Sequence, residues 1–155
     1  MAEKPYRPSV GMVLLNQDRQ VFMAQRRDVP PDSSQGWQLP QGGIDPGETP
    51  QQAAVRELEE EIGTAKVALM QESQQWLTYD FPQEFPSNLL KKRFAGQRQK
   101  WFLFSFTGQD GDINLETAHP EFLRWRWGTA RELLDQVITF RHPIYTAVFR
   151  EFSLI

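Results

Sequence analysis

The sequence predicts an α/β domain with helices packed on a mixed sheet, and three observations predict it. Short apolar runs of strand length recur along all 155 residues, one acidic helix interrupts them at 50–62, and an apolar helix closes the chain. The length fits one domain with a genuine core.

In chain order, Ser9 to Leu15 and Val21 to Arg26 read as strands joined by the polar Asn16-Gln17-Asp18-Arg19 turn. Asp28 to Gly36, rich in proline, serine and aspartate, reads as a loop, and Trp37 to Pro40 as a short strand. A glycine-rich loop carrying Gly42, Gly43 and Gly47 follows, with glycine allowing positive φ and close backbone approach.

The helix after it is specified at both ends. Thr49 caps it, Pro50 suits its first position, Gln52 completes a capping box, and Gly63 stops it. Val55, Leu58 and Ile62 form its apolar stripe, while Glu57, Glu60 and Glu61 are expected on the opposite side. Like charges at these spacings repel, so the cluster calls for a cation.

Val67 to Glu72 and Trp76 to Tyr79 are the next strands. Phe81 to Gln99, with Pro82, Pro86, Gly96 and the basic run Lys91-Lys92-Arg93, is expected as a long irregular loop that closes on ligand. Trp101 to Phe106 is a strongly apolar strand, Asp110 to Pro120 a polar connection, and Arg124 to Trp127 a strand with two unlike faces. Thr129 caps a short helix through Leu134. A last helix begins near Pro143 and buries Ile144, Val148 and Phe152.

Composition narrows the function. A net charge of −3 and a pI near 5.4 argue against coating nucleic acid by bulk electrostatics, so nucleotide recognition must be local. The absence of cysteine excludes disulfides and thiolate metal sites. No signal-peptide core or membrane-length apolar run is evident, so the expectation is a cytoplasmic protein without an obligate protein partner. His119 and His142 each precede a proline or proline-led helix start and read as loop or helix-start residues rather than ligands.

Carboxylate oxygens that leave room for water and phosphate suit Mg²⁺, with Mn²⁺ able to substitute. Gly42, Glu48, Arg56, Glu57, Leu58, Glu60, Glu61 and Gly63 also stand at the spacing of the Nudix box, which the stretch from Gly42 to Thr64 resembles. Only Thr64 departs, where an aliphatic residue is usual. The resemblance implies an α/β/α sandwich with a loop-helix-loop catalytic box, and hydrolysis of a nucleoside diphosphate linked to another moiety. It assigns metal ligation to Glu57, Glu60 and Glu61, with Gly42 and Glu121 added, and an organising role to Arg56 beside Glu48. Glu60, Glu61 and Glu121 are the general-base candidates.

Substrate choice must come from outside the box. Tyr6-Arg7-Pro8, Trp37 to Gly43, Trp76 to Pro82 and Gly96 to Phe102 resemble the plant-type diadenosine tetraphosphate hydrolases, and bacterial RNA pyrophosphohydrolases share much of this pattern. Arg7, Arg26 and Lys100 are the candidate phosphate clamps, Tyr79 and Phe140 the base platforms, and Arg141 a phosphate or stacking contact. Likeness in WLTYDFP and FTGQDGDINL favours cleavage of diadenosine tetraphosphate to ATP and AMP. The runner-up is removal of pyrophosphate from triphosphorylated RNA 5′ ends, and a binding module without catalysis ranks third because the box glutamates are intact.

Overall fold

A computed structural model describes residues 3–28, 36–83, 85 and 87–155. Most of the loop expected at Asp28 to Gly36 therefore lies outside the described residues. The strands are β1 (Tyr6–Leu15), β2 (Val21–Arg26), β3 (Trp37–Gln38), β4 (Gln41–Gly43), β5 (Val67–Glu72), β6 (Leu77–Asp80), β7 (Gly96–Phe106) and β8 (Phe122–Gly128). The helices are α1 (Pro50–Ile62), α2 (Asn88–Arg93), α3 (Ala130–Leu134) and α4 (His142–Glu151).

The sheet runs β3-β2-β1-β7-β5, with β4 also on β1, β6 on β7 and β8 on β2. It is mixed because β1 and β7 are parallel, Val10 facing Lys100 through Leu15 facing Ser105, while the other pairings are antiparallel. Alternation along these two strands builds two cores. Val10, Met12, Leu14, Phe102 and Phe104 pack with Ala53, Leu58 and Ile62 of α1. Val13, Leu15, Trp101 and Leu103 pack with Leu133 of α3 and Tyr145, Val148 and Phe149 of α4. Helices thus cover both faces, giving the α/β/α sandwich. Gly11 lets the layers close, since a Cβ there would lie 2.5 Å from the buried Trp101 indole.

Helix α1 has the expected ends. The Thr49 hydroxyl accepts from the Gln52 amide, the Gln52 side chain accepts from the Thr49 amide, and Gly63 takes φ 80°. Thr64 is buried, and its hydroxyl accepts from the Lys66 amide at 3.1 Å. Of the stripe expected in the last helix, Val148 and Phe152 are buried and Ile144 packs half-buried against the same core, with Tyr145 and Phe149 of α4 widening the buried face.

Two segments differ from expectation. Gly42 and Gly43 belong to β4, paired with Val10 and Ser9, and only Gly47 of the three takes positive φ. The described part of the stretch from Phe81 to Gln99 holds regular structure rather than loop alone. Ser87 caps α2 through the Leu90 amide, the basic run forms its last turn, and Gly96 to Gln99 already pair in β7. Gly96 permits this, because a Cβ there would sit 1.9 Å from the Tyr79 carbonyl oxygen.

Candidate active site

Helix α1 presents its carboxylates to β4 and to the loop before β8, but not as one solvated face. Glu60 is exposed, Glu57 is half-buried, and Glu61 is 4% exposed. The expectation that all three lie opposite the apolar stripe fails for Glu61, which stands three residues after the buried Leu58 and seven after the buried Ala54 and so shares their face. Its Oε2 is buried with no hydrogen-bond partner among the described residues. Burial, reinforced by Glu121 and Glu57, pushes the Glu61 carboxyl well above the ordinary range. Burial likewise raises Glu57 to about 7, against the favourable pull of Arg56 and with Glu60 and Glu121 adding to the rise.

Arg56 organises the entrance. Its Nε donates to Glu48 Oε2 at 2.7 Å and its Nη2 to Glu48 Oε1 and the Gly43 carbonyl, both at 2.9 Å. Nη1 donates to Glu57 at 3.0 Å and to Glu60 at 3.2 Å. Glu48 also accepts from the Asp45 amide at 2.8 Å, so it acts as a brace for the loop and is held below the ordinary carboxylate range by Arg56 first and that amide second. Gly42 is required by close approach: a Cβ there would lie 2.0 Å from the Glu57 carboxyl carbon.

Glu121 closes the cluster from the opposite side. Its carbonyl accepts from the Arg27 amide at 3.0 Å, which ties the loop before β8 to the end of β2. Glu57, Glu60, Glu61 and Glu121 line one cavity with His119, and Glu57 and Glu121 line the adjoining cleft as well. Among the described residues no three acidic or histidine side chains already stand in ligating geometry. Glu57 is drawn to Arg56 instead. An orphaned buried oxygen and adjacent carboxylates that resist ionisation, reached past a glycine-lined approach, nevertheless fit a hard divalent cation, which would relieve both strains.

This arrangement has a pH signature. Folded Glu57 and Glu61 hold protons above their unfolded value of 4.5, so the metal-free fold loses stability as pH rises from about 4.5 through 7. The expected cost from Glu57 is on the order of 2 kcal/mol, or roughly 5 °C in Tm for a chain of this size. Carboxylates with lowered values, Asp28 and Glu48 among them, act below this window. Melting scans in EDTA at pH 5.5 and pH 8 should show the drop, and Mg²⁺ should reduce it. A Tm in EDTA that ignores pH across this range would contradict the electrostatic picture.

The cleft, about 420 Å³, is lined on its other side by cations. The Arg7 guanidinium lies against Gly43, where a Cβ would come within 2.5 Å of Nη2, and it has no ion-pair partner among the described residues. Arg141 is buried, donates from Nη1 to Gln38 at 3.0 Å, and leaves Nε without a partner. Arg26 also lines the cleft, but its fork is engaged by Asp28 at 2.8 and 2.6 Å, so an incoming phosphate must compete.

Three other expected substrate contacts sit elsewhere. Lys100 is outside the cleft lining; its ammonium reaches the Gln74 carbonyl at 3.4 Å and Glu72 at 3.9 Å. Tyr79 and Phe140 pack on each other at 5.8 Å within a cluster completed by Phe81 and Phe85, and Phe85 is the ring of that group that lines the cleft. The Tyr79 hydroxyl accepts from Gln97 at 2.9 Å. Gln38, Gln41 and Gln97 are cleft residues not anticipated from sequence. Their signal was glutamine recurring at inward positions of strands, as at Gln97 and Gln99 ahead of Trp101.

Comparison with known proteins identifies the family. A family model described as the NUDIX domain matches residues 5–149. An RNA pyrophosphohydrolase of Rhodospirillum rubrum is 52% identical over 149 residues, covering 96% of this chain and 88% of the relative. One from Rickettsia prowazekii is 49% identical, covering 96% and 91%. Among solved structures, the E. coli dihydroneopterin triphosphate pyrophosphohydrolase matches with TM-score 0.65 at 24% identity, over 95% of this chain and 97% of that one. A C. elegans Ap4A hydrolase binary complex matches with TM-score 0.62 at 22% identity, over 94% and 95%. These structural likenesses speak for the fold. No described helix is long and apolar enough to cross a membrane.

Proposed function

Because the chain belongs to the Nudix family of hydrolases, we propose that it removes pyrophosphate from the 5′ end of triphosphorylated RNA, using Mg²⁺ held by the α1 carboxylates. The observation that carries this choice is identity near one half, along almost the whole chain, with two relatives named for that activity. It outweighs the short stretches that favour dinucleoside polyphosphates. The cleft supports the reading by bringing Glu57 and Glu121 into one lining with Arg7 and Arg141.

The bound cation would neutralise phosphate charge and acidify a water. Glu57 and Glu61 would hold it, with Glu121 and Glu60 beside them. Of the three general-base candidates only Glu121 lines both the cleft and the acidic cavity, which supports it as the group that takes the proton of the attacking water. Arg7 and Arg141 fix the phosphate chain through charge-assisted hydrogen bonds. Arg56 keeps the carboxylates in position without meeting substrate.

The test is kcat/KM for a 5′-triphosphorylated RNA and for diadenosine tetraphosphate with the same enzyme and Mg²⁺. Release of pyrophosphate or successive phosphates from RNA with slow dinucleotide cleavage supports the proposal. Rapid ATP and AMP formation with the RNA untouched would restore the dinucleotide reading. Tight binding of either without turnover would make this a binding module.

A further inference from the structure

The cleft lining includes the acidic Glu57 and Glu121, and Ser87 and Leu90 bring α2 to its edge from elsewhere in the chain. That helix ends in Lys91, Lys92 and Arg93, three cations in six residues with no acid in its first turn. Basic residues complement the negative C-terminal end of a helix, which accounts for one or two of them. Lys91 is further committed, donating to the Gln83 carbonyl at 2.7 Å, and Lys4 donates to the Lys91 carbonyl at 2.7 Å.

The side chains of Lys92 and Arg93 have no such hydrogen bonds among the described residues. Both are exposed, neither forms an ion pair among the described residues, and the Arg93 guanidinium lies 5.2 Å over the Phe94 ring. Leu89, one helical turn before Arg93, is 69% exposed, more than any other large apolar side chain described. A protein of net charge −3 thus gathers Lys4, Lys91, Lys92 and Arg93 around one short helix at the cleft.

We infer that the exposed face of α2 is a track for the RNA beyond its 5′ phosphates, with Lys92 and Arg93 pairing successive backbone phosphates and Leu89 meeting a sugar or base. This rests on the RNA reading. An RNA whose 5′ end is fixed at the acidic box must leave the cleft as a polyanion, and α2 offers the side of matching sign. The contacts are to backbone and apolar surface, so they carry little sequence preference.

The experiment measures KM over a range of salt for a 5′-triphosphorylated dinucleotide and for an unstructured triphosphorylated RNA of about twelve nucleotides. Wild type, Lys92→Glu/Arg93→Glu and the charge-keeping Lys92→Arg/Arg93→Lys are compared. The expected result is a several-fold lower KM for the longer RNA in wild type and in the charge-keeping variant. The glutamate variant should lose that advantage, and its salt slope should fall by about 1.4, from about 0.7 per lost single-strand phosphate contact. Its KM for the dinucleotide should stay near wild type, which also shows that the fold and cleft are intact. Equal KM values for the two RNAs in wild type, or a glutamate variant that keeps the long-RNA advantage, would overturn the track. Release of neither pyrophosphate nor orthophosphate from either RNA would overturn the RNA reading and the track with it.

Discussion

Replacing Glu61 with Gln is expected to lower turnover roughly a thousandfold while making the metal-free protein more stable at neutral pH. Few substitutions combine these effects, and the geometry requires both. Glu61 is 4% exposed and its Oε2 has no partner, with Glu121 and Glu57 near enough to oppose its ionisation. A neutral amide of the same shape removes the cost of an unpaired buried carboxylate. The same change removes the anionic oxygen that a divalent cation requires. The check is kcat with Mg²⁺ alongside urea unfolding in EDTA at pH 8. A variant that keeps turnover, or that unfolds more readily than wild type, would show that Glu61 is not a strained ligand.

Arg56→Lys is expected to reduce kcat/KM about a hundredfold and to weaken metal binding, although charge is conserved. One guanidinium spans Glu48, Glu57, Glu60 and the Gly43 carbonyl by using all three of its nitrogens. A lysine ammonium is a single point on a flexible stem and cannot bridge partners on the loop, the helix and β4 together. Glu48 would lose a two-pronged bond and the loop its brace, at a stability cost on the order of 1–3 kcal/mol. Steady-state kinetics with a Mg²⁺ titration tests this. Activity within threefold of wild type at saturating metal would mean that Arg56 supplies charge alone.

What was legible in the sequence was mostly local. The ends of α1 follow from Thr49, Pro50, Gln52 and Gly63, residues that satisfy backbone groups within a turn of themselves, and the structure has each bond as expected. Thr129 does the same for α3. The α1 stripe and the apolar runs of β1, β2 and β7 were readable because side-chain period follows backbone geometry.

What was not legible depends on partners far along the chain. Gly42 and Gly43 look like loop glycines until β1 pairs with them and Glu57 and Arg7 occupy the space where their Cβ atoms would stand. Glu61 looks like its neighbour Glu60 until the loop before β8 brings Glu121 against it. Helix α2 was hidden by its brevity and the surrounding prolines. Lys100 and Tyr79 were assigned to substrate by side-chain chemistry alone, a cation for phosphate and a ring for a base, whereas the fold turns Lys100 to Gln74 and Glu72 and packs Tyr79 in the aromatic cluster with its hydroxyl on Gln97. The glutamines of the cleft carry no motif.

The central claim is that the carboxylates of α1, with Glu121 opposite, form the cation site on which hydrolysis depends. It is tested most directly by titrating wild type and Glu61→Gln with Mn²⁺ and following the free ion by electron paramagnetic resonance at pH 6 and pH 8. Wild type is expected to sequester Mn²⁺, more tightly at pH 8 because Glu57, raised to about 7, gives up its proton to the metal more readily there. Mg²⁺ should displace it, and the variant should leave most of it free. Equal Mn²⁺ binding by the two proteins would contradict the claim and place the cation somewhere other than against Glu61.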